Sequence, residues 1–280
     1  MQLFWVCLFF LSILLDLADT RFSDEYLLRK LDTDSSRSTI AYYHYKDYAI
    51  RYADIGNEYK PMVIFVHGAP GGLDAFMGFL NDSSLRRQFR MISVDRPGYG
   101  FSGFGKPMVS VEEQARSLLP LLDLNKNPQK PLLVGHSYGG PIIAKMAMLA
   151  RENVGGIQLV GAAVDPDHEK IFMVNGLVSR NFLRRFVPVS MYVANEEKLV
   201  HVEELKKMEN EWDKITVPVT IIHGGKDELV PVENGYFAER KLRSAHVTMR
   251  IYDGTGHLIP WLKPDYMKKE IIIFPFLSKR

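Results

Sequence analysis

The chain has 280 residues, 46% of them hydrophobic, and its 35 basic and 33 acidic side chains leave a net charge of +2. That length and apolar content can bury a full core, in one large domain or two small ones. Charges of both signs are interspersed, which excludes an electrostatic surface for nucleic acid. The single cysteine, Cys7, excludes an intramolecular disulfide and a thiolate metal site.

Residues 1–20 form an apolar N-terminal segment. The run Leu3–Leu15 is shorter than the roughly 20 residues that span a bilayer, and it matches a signal-peptide core. No Lys or Arg precedes it, and Asp16 and Asp19 crowd the cleavage region. Three readings stay open: an export signal, an uncleaved membrane-associated segment over residues 3–17, or an apolar helix packed on the domain. Export or membrane association is the expectation, with a cytoplasmic location left open.

Residues 21–36 are charged and read as a connector. An α/β domain is expected over 38–278. Ser38–Ile55 alternates as an antiparallel hairpin around Lys46-Asp47. Met62–Val66 is a continuous apolar run, as in a strand buried on both faces, and it ends in His67-Gly68-Ala69-Pro70-Gly71-Gly72. The small residues let backbone approach a reacting group. Pro70 has no N–H, so Ala69 is the better donor for an oxyanion hole.

Met91–Val94 is a second buried strand, closed by the turn Asp95–Gly103, in which Asp95 is expected to bind Ser102 or backbone N–H groups. A helix is expected over 110–122, with Glu112 and Glu113 in its first turn. Pro131–Val134 then runs as a strand into Gly135-His136-Ser137-Tyr138-Gly139-Gly140, with a helix expected from Tyr138. A strand–turn–helix bearing G-x-S-x-G exposes the serine at the tip of a strained turn. Gly135 and Gly139 leave it room, and the helix N-terminus favours negative charge there. The Tyr138 amide is the second oxyanion donor in such a turn.

Ile157–Ala163 reads as the next strand. The insertion 165–200 carries Phe172, Met173, Leu177, Phe182, Phe186, Met191 and Tyr192 among arginines. It reads equally as a pair of amphipathic helices or as a lid whose apolar underside lines a pocket. A charged helix is expected over Glu203–Lys214. Val217–Ile222 returns as a strand whose end carries Asp227, and Val247–Tyr252 is followed by His257 between glycine-rich residues. The order Ser137, Asp227, His257, each after a strand, is that of a catalytic triad on a doubly wound sheet. Asp165, just after another strand, is the fallback acid.

The segments HGAPGG, DRPGYGFSG, GHSYGG, HGGKDELVP and GTGHLIPW together resemble the serine-nucleophile α/β-hydrolase superfamily over about residues 40–275. The resemblance implies a mostly parallel sheet with helices on both faces and a short helical lid. It implies Ser137 as nucleophile, His257 as base, Asp227 as its orienting acid, and Ala69 and Tyr138 as oxyanion donors. DRPGYG is similar to epoxide hydrolases and haloalkane dehalogenases, but those place aspartate at the elbow. HGAPGG resembles the proline iminopeptidase loop, while GHSYGG and DRPGYG depart from that family.

The expected activity is hydrolysis of carboxylic esters or related acyl bonds on a small molecule with an apolar part. No metal or organic cofactor is expected, and turnover should fall toward acid because the base must be neutral. Two alternatives remain: hydrolysis of a carbon–carbon bond in a diketone-like substrate, and a catalytically silent binding protein on the same fold.

Overall fold

A computed structural model describes residues 21–31, 37–170 and 187–277. Its strands are β1 (Ser38–Tyr45), β2 (Tyr48–Ile55), β3 (Met62–Val66), β4 (Arg90–Val94), β5 (Leu132–His136), β6 (Gly156–Val160), β7 (Val219–Gly224) and β8 (Val247–Tyr252). They form one sheet in the order β1-β2-β4-β3-β5-β6-β7-β8. The pairs β1–β2 and β2–β4 are antiparallel and the other five are parallel.

The helices of eight or more described residues are α1 (Asp24–Leu31), α2 (Val111–Leu118), α3 (Gly139–Leu149), α4 (Val189–Met208), α5 (Glu233–Lys241) and α6 (Pro264–Leu277). Strands β3, β4, β5 and β6 are buried along their whole length; β3 is the continuous apolar run of the sequence, while the others also bury Arg90, Ser93, His136 and Gln158. Alternation along a strand sends neighbouring side chains to opposite faces. Met62, Ile64 and Val66 of β3 therefore join one core with α2, α3, the end of α4 and α5. Val63 and Phe65 join the other, with α1, Phe76, Phe79 and α6.

The chain passes from β3 to β4 on one side, then crosses back to β5 on the other. This reversal makes the C-terminal ends of β3 and β5 the switch point at which open α/β sheets hold ligands. The loop 67–72 and Ser137 both sit there.

Several boundaries differ from the sequence reading: β6 ends at Val160, β7 covers Val219–Gly224, and α2 ends at Leu118 and passes into a 3₁₀ turn. The expected connector 21–36 contains α1, whose Leu27 and Leu31, spaced i and i+4, are buried in the core. No break separates the lid from the charged helix: α4 runs unbroken through residue 200 and continues as a 3₁₀ turn over Glu209–Lys214. The helix expected from Tyr138 starts one residue later, with Tyr138 as its N-cap. The N-terminal segment 1–20, with Cys7, and the lid positions 171–186 lie outside the described residues. Among the described residues no helix is long and apolar enough to cross a membrane.

The short helix Ser83–Gln88 shows how caps tie the layers together. Oδ1 of Asp82 accepts from the amides of Ser84 and Leu85 at 2.9 and 3.0 Å, and Oδ2 accepts from Lys268 of α6 at 2.6 Å. Burial pushes this carboxyl up, but Lys268, the Ser84 hydroxyl and the Leu85 amide outweigh it and bring it down to about 2. Asp82→Ala should cost about 1 kcal/mol near neutral pH. A carboxyl held below its unfolded value stabilises above that value and loses the contribution as pH falls toward the folded one. In urea melts, the gap between native chain and variant should therefore narrow between about pH 4 and pH 2.

Candidate active site

Ser137 lies between the end of β5 and the start of α3 with φ +53°. This is the left-handed region, costly for a residue with a Cβ. Its amide donates to Val160 O at 3.0 Å, and its carbonyl accepts from Gly140 N at 2.9 Å and Ala163 N at 3.2 Å. A Cβ on Gly135 would lie 2.7 Å from the Gly139 carbonyl carbon, and one on Gly68 would lie 2.8 Å from the Ser137 Cβ. Glycine at those two positions is what allows strand, helix and the 67–72 loop to close around the serine.

His257 follows β8 and Asp227 follows β7, the neighbouring strand. His257 Nδ1 lies 2.7 Å from Asp227 Oδ2. Since a carboxylate only accepts, Nδ1 carries the proton and the Nε2 lone pair is free for chemistry. Asp227 Oδ1 accepts from the amides of Leu229 and Val230 at 3.0 and 2.8 Å. Burial works against ionisation of Asp227, yet the His257 hydrogen bond and these donors hold it below the usual carboxylate range. His223 points its Nε2 at Val230 O, 2.9 Å away.

In the sequence His136 marks only the variable position of the elbow. Its Nε2–H donates to the His257 carbonyl at 3.1 Å, and Trp261 packs edge-on against its ring at 5.2 Å. Burial, with His257 adding to it, brings its imidazole down to about 3, so it is a neutral strut beneath the His257 loop.

Ser137, His257, Ala69 and Tyr138 line one cavity of about 480 Å³. Most of its wall is apolar: Ala69, Pro70, Ala163, Val230, Leu258 and Trp261. Helix α4 closes one side with Met191, Ala194, Lys198 and His201, one face at helical spacing. The part of the expected lid that is described thus lines the cavity. Glu169 is the one carboxylate among the described lining residues. It is engaged by Lys198, and by His201 Nδ1 at 3.0 Å.

Asp165 turns elsewhere, accepting from the Asp167 amide at 3.0 Å and pairing with His168 at 2.8 Å. Asp95 accepts from the amides of Leu73 and Phe101 at 2.7 and 3.0 Å, so its turn-stabilising partners are backbone groups. Ser102 instead accepts from the Arg51 amide at 2.8 Å. Burial pushes the Asp95 carboxyl up to about 6. Among the described residues no three His, Cys, Asp or Glu side chains converge as a metal site would require.

A family model described as the alpha/beta hydrolase fold matches residues 61–187, and one described as serine aminopeptidase, S33, matches 199–261. The dihydrolipoyllysine-residue acetyltransferase component of the acetoin cleaving system of Pseudomonas putida is 22% identical over 80% of this chain. Its counterpart in Cupriavidus necator is 22% identical over 75%. The chain spans 66% and 62% of the length of these two relatives. Among solved structures, a membrane phospholipase A described as a bacterial virulence factor superposes with TM-score 0.67 at 17% identity, covering 99% of this chain and 94% of that one. An esterase from Exiguobacterium antarcticum gives 0.66 at 20% identity, covering 86% and 99%. The chain has the alpha/beta hydrolase fold.

Proposed function

We propose that this protein is a serine hydrolase of carboxylic esters or related acyl bonds, with Ser137 as nucleophile, His257 as general base and Asp227 as orienting acid. The observation that carries the reading is the 2.7 Å Asp227–His257 hydrogen bond beside a cavity that His257 shares with a left-handed Ser137. His257 Nε2 takes the Ser137 proton as Oγ adds to the substrate carbonyl, and Asp227 stabilises the imidazolium. The oxyanion is held by the amides of Ala69 and Tyr138, neither of which donates to a main-chain acceptor among the described residues. His257 then protonates the leaving group, and water releases the acid by the same route.

Two features favour esters with an apolar part over substrates bearing a free amino group. The cavity wall is mostly apolar, and Glu169, the carboxylate that could hold an ammonium group, is already occupied by Lys198 and His201. The carbon–carbon hydrolase reading uses the same three residues and has no separate observation in its favour.

The test is labelling with a fluorophosphonate probe, followed by a series of p-nitrophenyl esters of increasing chain length, with aminoacyl arylamides and vinylogous diketones alongside. Labelling confined to Ser137 and turnover of the esters are the expected results. A chain that takes no label, or that turns over only one of the other two substrate classes, overturns the proposal.

A further inference from the structure

Arg96 belongs to the turn after β4 and has no part in the chemistry above, yet its side chain is fully buried directly behind the oxyanion loop. Nε donates to His67 O and Nη2 to Gly68 O, each at 2.9 Å. The Arg96 amide donates to His67 Nε2 at 3.0 Å, which leaves the Nδ1 proton of His67 to reach Gly68 O at 2.7 Å. Burial keeps that imidazole well below its usual range, hence neutral. The Gly68 carbonyl therefore has two donors, one of them a cation.

Gly68 O and Ala69 N–H belong to one peptide unit, and it is trans, the neighbouring Ala69–Pro70 bond being the cis one. In a trans peptide the carbonyl and the N–H point in opposite directions. Holding the carbonyl toward Arg96 thus aims the Ala69 N–H away from the core, on the side where Ala69 lines the cavity. A cation on the carbonyl also polarises the amide and strengthens its N–H as a donor. The same guanidinium lies 4.9 Å from the ring of Tyr138, which carries the other donor.

Arg96 is itself held from the lid side. Its Nη1 and Nη2 reach Glu197 of α4 at 2.6 and 3.2 Å, and Glu197 also accepts from Tyr99 Oη at 2.6 Å and Gln114 Nε2 at 2.8 Å. Glu197 is fully buried, while its neighbours Lys198 and His201 line the cavity. We infer that Arg96 is a positioning residue that sets the direction of the Ala69 oxyanion donor, and that Glu197 makes helix α4 part of the same assembly. This rests on the reading of the Ser137 site given above.

Removing Arg96 alone strands a buried carboxylate and can unfold the chain for reasons unrelated to catalysis. The test therefore uses R96M/E197Q, which leaves no unpaired charge and keeps acceptors for Tyr99 and Gln114. R96K and E197Q accompany it, and thermal melts check that each folds. The readouts are kcat and KM for an ester and the affinity of an aryl trifluoromethyl ketone, which adds to Ser137 and places an oxyanion in the pocket.

In the double variant, kcat and ketone affinity should both fall by about 10²-fold, the lower range for loss of an oxyanion donor, with KM nearly unchanged. R96K should recover part of both losses. If the double variant does not fold, R96K, which keeps a cation beside Glu197 but cannot reproduce the fork to His67 O and Gly68 O, gives the same paired shift at smaller amplitude. A folded double variant with native kcat and native ketone affinity overturns the inference while the triad stands. A native chain that neither turns over esters nor binds the ketone overturns the reading of the site as well.

Discussion

Ser137→Ala should lower ester turnover by about 10⁴–10⁶-fold while leaving substrate affinity close to native, because the change removes the attacking atom and little of the cavity wall. Alanine is sterically the mildest replacement: it keeps the Cβ that the Gly68 backbone is built to accommodate. The measurement is initial rates on a p-nitrophenyl ester with purified protein, with a urea melt to confirm folding. Turnover that survives nearly intact would remove Ser137 from the mechanism. The residual rate in the variant would then report what the Ala69 and Tyr138 amides achieve by polarising the carbonyl for water.

Asp227→Asn should cost about 10⁴-fold in kcat, while Asp165→Asn should leave kcat close to native. The reasoning is specific to the hydrogen bonds. Asp227 Oδ2 accepts the Nδ1 proton of His257, whereas an amide nitrogen in that place would donate and favour the unproductive tautomer. Asp165 spends its oxygens on the Asp167 amide and His168, at the head of the segment entering the lid. A mild Asp227 variant together with a severe Asp165 variant would reverse the assignment. Comparing the two is informative because both follow sheet strands, and sequence order alone could not choose between them.

The sheet was legible because burial on both faces leaves a mark that depends on no distant partner: β3 is apolar throughout, and β4 and β5 are built around the apolar pairs and runs Met91-Ile92 and Leu132–Val134. The candidate triad was legible for a related reason. A strained serine needs small neighbours, and a loop histidine or aspartate stands out after an apolar strand. Helix α1 was hidden because only Leu27 and Leu31 mark its inward face within a charged stretch. Glu197 was hidden for a stronger reason. Within α4 it looks like one more solvated acid, and its burial is decided by Arg96, 101 positions upstream. Arg96 did lie inside a recognised motif, but its role depends on which carbonyls the fold brings to it, and spacing carries no record of that. His136 gave no signal either, since its partner is the backbone of His257.

The left-handed backbone at Ser137 sets a limit on how the molecule can change over evolutionary time. Holding a non-glycine residue there costs on the order of 1–3 kcal/mol, an appreciable share of a typical domain's stability. The surrounding sheet and the α3 N-terminus must absorb that cost whether or not substrate is present. Lineages that lose the activity would be free to relax the turn and gain stability. A serine held in this conformation is therefore a cost the fold carries to place one hydroxyl.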